Sequence, residues 1–174
     1  MRCGGRRRWA CSRSLLHPIG VDVDVEPQRG QIVHLHLGGI DTGGWPTVVP
    51  VGDHYLVPFD DGRIVVGATR ETGSGFDARV TAAGLRSVLD DALTLAPGLA
   101  GATVLETRVG LRPLAAGGTP SVGPLAGSDA LFVAAGYGAA GLTMAPVLGD
   151  ALAELVLTGR APVTLPPVPV PATR

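Results

Sequence analysis

The sequence predicts an α+β chain: an antiparallel sheet with a helix packed on it, then one strand–glycine loop–helix unit of the nucleotide-binding kind. Three observations carry this expectation. Short alternating or β-branched runs lie between turn signals. An amphipathic helix pattern follows the first of them. Near the end, Gly136, Gly138 and Gly141 spell G-x-G-x-x-G between an apolar run and a second helix pattern.

Taken in order, residues 1–20 show no periodicity and read as irregular. From Gly30 the pattern changes. Residues 31–37 alternate, with Val33, Leu35 and Leu37 on one strand face and Ile32, His34 and His36 on the other. A turn-rich stretch covers 38–46. Two β-prone runs, 54–59 and 63–69, flank Asp60-Asp61-Gly62, a strong hairpin signal. Thr81 is placed to cap a helix whose Leu85, Val88, Leu89 and Ala92 recur at helical spacing, and Pro97-Gly98 ends it. A further strand is expected over 103–111, stopped by Pro113, and 117–124 is turn-rich. The wholly apolar run 131–135 reads as a strand covered on both faces. The last helix is expected over 143–158, with Leu148, Leu152, Leu155 and Val156 on its buried side and Gly159 at its exit. The proline-rich tail, 161–174, cannot form regular structure.

The bulk numbers exclude several classes. A length of 174 residues allows one sizeable core, or one domain plus part of another. With 45% hydrophobic residues, 17% charged residues and a net charge of -1, the profile is that of a soluble globular protein, and nucleic acid is excluded as a partner. No apolar run reaches the ~20 residues of a membrane span. The Arg-rich start (Arg2, Arg6, Arg7, Arg8) lacks the apolar stretch of an export signal, so a cytoplasmic location is expected. Cys3 and Cys11 show no metal-ligand spacing, and His34 with His36 lacks a third ligand, so no metal is expected and a half-exposed strand face is the reading for the pair. All 14 basic residues are arginine. Without a lysine there is no Schiff-base nucleophile and no Walker A site.

The glycine loop has three readings. A self-contained NAD site needs a second parallel strand and an acidic residue after the helix, and here the chain runs into Pro162, Pro166, Pro167 and Pro169 instead. Tight strand–helix packing without a ligand is the plain reading. The third is a helix N-terminus aimed at an electron-rich ligand held by the rest of the protein.

Four stretches in order resemble the D-amino-acid oxidase and glycine oxidase family of flavoproteins. Arg29-Gly30-Gln31 resembles the family's R-G-Q turn into the substrate sheet. Tyr55-Leu56-Val57-Pro58, Asp61-Gly62-Arg63 and Val66-Gly67-Ala68-Thr69 are similar to its Y-[IL]-V-P…G-R…V-G-A-T hairpin. Val109-Gly110-Leu111-Arg112-Pro113, with Thr119-Pro120-Ser121-Val122-Gly123 after it, resembles its W-x-G-L-R-P strand. Ala134-Ala135-Gly136-Tyr137-Gly138 through Gly141-Leu142-Thr143-Met144-Ala145-Pro146 resembles its terminal A-G-[HY]-x-x-x-G-[LI]-x-x-A-P.

The resemblance implies a substrate-binding domain over 29–115 and the C-terminal piece of an FAD-binding, Rossmann-like domain over 116–160. It also implies FAD as cofactor and a small amino acid or secondary amine as substrate. Its reaction removes a hydride from the carbon beside nitrogen, so positioning is most of the catalysis. Arg112 occupies the position of the family's carboxylate-binding arginine, against the alternative of a structural strand-end arginine. Tyr55 matches a tyrosine that contacts substrate, or packs on a half-buried strand. Gly136, Tyr137, Gly138, Ala139, Ala140, Gly141, Leu142 and Thr143 would line the flavin; for Tyr137, flavin contact and simple packing both stand. His54 lies beside this proposed site with no partner evident.

The family's N-terminal strand, G-x-G-x-x-G loop and acidic residue have no counterpart in 1–28. Residues 9–16 roughly resemble its A-G-A-W-S-x-x-L segment, but 1–8 fit nothing, so a misassigned start or changed frame is expected. A missing FAD-domain half would leave apolar surface exposed on the last strand and helix. The alternative reading is a non-catalytic fragment.

Overall fold

The computed structural model describes residues 12–125, 128 and 130–168. The chain divides into two compact units, Arg29–Gly110 and the segments Met1–Gln28 with Leu111–Arg174. The divisions fall inside two long strands, β1 (Val25–His36) and β4 (Thr103–Ala115).

In the unit Arg29–Gly110, β1 and β4 join β2 (Tyr55–Pro58) and β3 (Arg63–Gly67) in a four-stranded sheet of order β2-β3-β1-β4. The β2–β3 hairpin forms where the turn signal places it: Pro58 faces Ile64, and Phe59 N donates to Arg63 O at 2.8 Å. Gly62 turns the chain at φ +76, and a Cβ there would lie 2.9 Å from the carbonyl oxygens of Leu37 and Ile40. Helix α2 (Ala82–Leu95) begins at Thr81, whose hydroxyl accepts from Gly84 N. Pleating sends Val33 and Leu35 to one sheet face, where Leu56, Ile64, Val66, Val88, Ala92 and Leu99 complete a buried core. Leu85 and Leu89 pack against it from α2.

Several expectations are corrected in this unit. Arg29-Gly30-Gln31 is no turn but the buried middle of β1. The Arg29 guanidinium reaches Glu71 (2.7 Å) and Asp77 (3.0 Å). Gln31, fully buried, donates to Glu71 Oε1 (2.6 Å) and Thr81 Oγ1 (2.9 Å) and accepts from Thr81 N (3.0 Å). Thr69 completes the network by donating to Glu71 Oε1 at 2.7 Å. Such a fully satisfied polar cluster fixes one register, since any lost partner would leave a buried polar atom unpaired. His34 does not lie on a half-exposed face: it is buried, neither ring nitrogen has a hydrogen-bond partner, and Glu106 Oε1 is 3.9 Å from Nδ1.

In the other unit, α1 (Ser12–Leu16) and a 3-10 turn, His17–Ile19, replace the irregular start expected there. Residues 1–11, with Cys3, Cys11 and the arginine cluster, lie outside the described residues. Strand β4 continues through Pro113 to Ala115; it is an edge strand, which tolerates a missing N–H. The turn-rich stretch contains β5 (Ser121–Pro124), paired antiparallel with β6 (Phe132–Ala135). Only alternate residues of β6, Val133 and Ala135, are buried, so it is not covered on both faces. They join Val23, Val25, Ala115 and Leu125 in the second core.

Helix α3 (Gly141–Thr158) buries only Leu148 and Ala151 and leaves Gly159 at φ +76 to end it. Val156, expected on its buried side, is exposed, as are Leu142, Val147 and Leu157. The stretch Gly138–Thr158 is long and apolar enough, by length and composition alone, to cross a membrane, but Asp150 and Glu154 interrupt it, so it forms no unbroken apolar run of ~20 residues. The tail at 160–168 has no regular structure; Pro166 O accepts from Val122 N at 3.2 Å.

Candidate functional site

The carboxyl end of β4 runs beside the glycine loop. Leu114 bridges Tyr137, and Ala115 N donates to Gly136 O at 3.4 Å. This approach accounts for the first glycines. Gly136 has φ +83, and a Cβ there would lie 2.6 Å from Ala115 Cβ. Gly138 has φ +55 and would meet Leu114 Cδ1 at 3.3 Å. Both take a positive φ that favours glycine, and at Gly136 a Cβ would also find no room. The plain reading of this pair, close packing of strand on loop, is therefore supported by the geometry. Gly141 is less constrained, with only Tyr137 Cβ at 3.8 Å.

A cavity of about 530 Å³ opens where β4, β6 and the start of α3 meet. Leu111, Arg112 and Pro113 line it from β4, Ala134 and Ala135 from β6, and Tyr137, Gly138, Ala139, Gly141, Leu142 and Ala145 from the loop and helix. Arg112 is the one ionisable cation among these residues, and the walls are otherwise apolar apart from Tyr137 and the backbone. Burial pushes the Tyr137 phenol above its ordinary value, so its hydroxyl keeps its proton. The first residues of α3 carry no side-chain cap. A 3-10 turn, Gly138–Ala140, leads directly into α3, and the positive end of the helix dipole favours an electron-rich ligand here.

Of the residues singled out from sequence, Arg112, Tyr137, Gly138, Ala139, Gly141 and Leu142 thus share one cavity. Gly136 and Ala140 are not among its lining residues, and Thr143 turns its hydroxyl to Ala140 O at 2.9 Å. Tyr55 belongs to the other unit, on β2 opposite Gly67. Leu111, Pro113, Ala134, Ala135 and Ala145 line the cavity without having been singled out; each adjoins a quoted motif, and that adjacency was the available signal. His54 does have a partner: its Nδ1 lies 2.9 Å from Asp91 Oδ2 on α2. Among the described residues no group of three or more His, Cys, Asp or Glu could hold a metal ion.

Comparison with known proteins places the chain. A family model described as FAD dependent oxidoreductase matches residues 9–155. The oxidoreductase YurR of Bacillus subtilis is 48% identical over 91% of this chain. The glycine oxidase of Pseudomonas putida is 36% identical over 90%. Among solved structures, an iminodiacetate oxidase from Chelativorans sp. BNC1 superposes with a TM-score of 0.85 at 48% identity, covering 89% of this chain. A glycine oxidase from Geobacillus kaustophilus gives 0.80 at 28% identity, covering 95%. The chain spans 42% of the length of each of the first three and 44% of the last.

Proposed function

The chain belongs to the FAD-dependent oxidoreductase family, and we propose that it forms the substrate-holding and flavin-facing part of an enzyme oxidising the C–N bond of a small amino acid or secondary amine. In this reading 29–115 is the substrate-binding domain and 116–160 the C-terminal piece of the FAD-binding domain, in a cytoplasmic enzyme. The observation that carries the proposal is that Arg112 and the glycine loop line one cavity.

The family's cofactor is FAD. The residues present fit its flavin end: an apolar cavity, the start of α3 with the positive end of its dipole, and backbone lining it at Gly138 and Gly141 without side chains. For the adenine end, the described residues hold no second glycine fingerprint with an acidic partner. Bound FAD would accept the hydride that leaves the substrate carbon beside nitrogen. Glycine and iminodiacetate, named in the relatives, both carry a carboxylate on that carbon. The Arg112 guanidinium would take such a carboxylate through two parallel charge-assisted hydrogen bonds. The apolar side chains of Leu111 and Ala145 would leave that pairing without a competing polar wall group. The positive end of the α3 dipole would stabilise negative charge gathering at the helix start. Tyr55, presented from the sheet, would add a substrate contact.

The test is flavin uptake followed by anaerobic reduction. Protein carrying these residues and supplied with FAD should turn yellow, and glycine or iminodiacetate should bleach it, far more slowly in Arg112→Ala. Colourless protein under all loading conditions would favour a non-catalytic fragment, a reading that the exposed Leu142, Val147 and Leu157 on α3 keep in play.

A further inference from the structure

Strand β2 is four residues long and lies at the edge of its sheet. Its first residue, Tyr55, faces Gly67 on β3, and a glycine offers no side chain to hold the ring in place. The direction of the phenol therefore follows the backbone at 54–55. After Tyr55 the strand is held by Leu56, which exchanges two 2.9 Å backbone bonds with Val48, but before Tyr55 the anchors are few. Asp53 O accepts a long bond from Ala68 N, 3.5 Å, and the Asp53–Arg70 ion pair is solvent-exposed on both sides, which makes it weak.

His54 is the exception. Pleating sends it to the sheet face opposite Tyr55, where α2 packs, and its Nδ1 lies 2.9 Å from Asp91 Oδ2. Its Nε2 is buried with no hydrogen-bond partner. A carboxylate oxygen only accepts, so the ring's Nδ1–H donates to Asp91 Oδ2. The bond joins the strand end to the middle of a 14-residue helix, itself fixed on the core by Val88 and Ala92.

We propose that His54 and Asp91 are positioning residues that set the Tyr55 phenol by clamping the start of β2 to α2. This rests on the reading of Tyr55 as a substrate contact only for its catalytic consequence; the clamp itself can be tested without it.

The chain has two tyrosines, Tyr55 and Tyr137, so fluorotyrosine labelling gives two fluorine resonances, assigned with Tyr55→Phe. Asp91→Ala should shift and broaden the Tyr55 resonance and leave that of Tyr137 in place. Asp91→Asn, whose amide oxygen still accepts from Nδ1–H, should restore the wild-type line. An unmoved Tyr55 resonance in folded Asp91→Ala overturns the proposal, as does an Asp91→Asn line displaced as far as that of Asp91→Ala. Should Asp91→Ala not fold, His54→Phe keeps the packing of a ring and loses the hydrogen bond, and the same two outcomes apply to it. In flavin-loaded protein Asp91→Ala should raise KM for an amino acid about tenfold with kcat changed less, again restored by Asp91→Asn. If Tyr55→Phe leaves KM unmoved, the substrate-contact reading fails while the clamp stands on the fluorine result.

Discussion

Gly84 lies in the first turn of α2, directly over the side chain of Gln31. A Cβ at this position would lie 2.6 Å from Gln31 Cδ and 3.0 Å from Oε1, and closer still to Nε2. An amide at the end of a long side chain can usually swing aside cheaply, but Gln31 is fully buried and holds three hydrogen bonds to Glu71 and Thr81. In an open helix, Gly→Ala stabilises by about 0.5–1 kcal/mol. Here that gain is opposed by overpacking, about 1–3 kcal/mol, and by the displaced hydrogen bonds at roughly 1 kcal/mol each. Gly84→Ala should therefore destabilise the chain by about 2 kcal/mol. The control is Gly149→Ala in α3, where nothing lies within 4 Å of the added Cβ; it should stabilise by up to about 1 kcal/mol. Equilibrium urea unfolding reads both. A Gly84→Ala protein as stable as wild type, or more so, would refute the packing argument and with it the place of Gln31 as the hub of this network.

Thr81→Ala removes the cap on Gly84 N and the acceptor for Gln31 Nε2, and should cost about 1–2 kcal/mol in the same assay. Burial pushes the Glu71 carboxyl up, but hydrogen bonds from Thr69, Gln31 and Arg29 and the Arg29 charge outweigh it, so its value lies below the ordinary 4.5. Its contribution is thus complete above pH 4.5 and lost as pH falls through the lower folded value; Glu71→Gln should flatten that acid limb of stability. Burial chiefly, with the nearby Arg108 charge, holds the His34 imidazole below its ordinary 6.5. The folded state resists protonation, so stability should fall as pH drops from about 6.5 toward the lower folded value, and His34→Leu should remove that slope in a pH series of melting curves.

How much of this was legible in the sequence depends on the range of the interaction. The Asp60-Asp61-Gly62 hairpin, the Thr81 cap and the Gly159 exit are set by residues within a few positions, and their local chemistry declares them. Strand β5 was hidden because Gly117, Gly118, Pro120 and Gly123 look like turn residues, and its pairing partner β6 starts only at Phe132. Pro113 reads as a stop, yet an edge position makes its missing N–H harmless. The Arg29–Glu71 and His54–Asp91 pairs join residues tens of positions apart, which no periodicity can show. At the site, the glycine spacing and Arg112 could be read directly. Their meeting in one cavity could not, because it depends on β4 continuing past Pro113 to lie beside Tyr137.

The central claim is that Arg112 holds a carboxylate at the reacting carbon. The measurement is the anaerobic rate of flavin reduction in the FAD-loaded protein, wild type against Arg112→Ala, with glycine-type substrates and with matched amines that lack the carboxylate. Losing two charge-assisted bonds of roughly 1.5–3 kcal/mol each predicts a fall in kcat/KM on the order of 10²-fold or more for the acids and little change for the amines. Equal losses for both, or none for the acids, would contradict it.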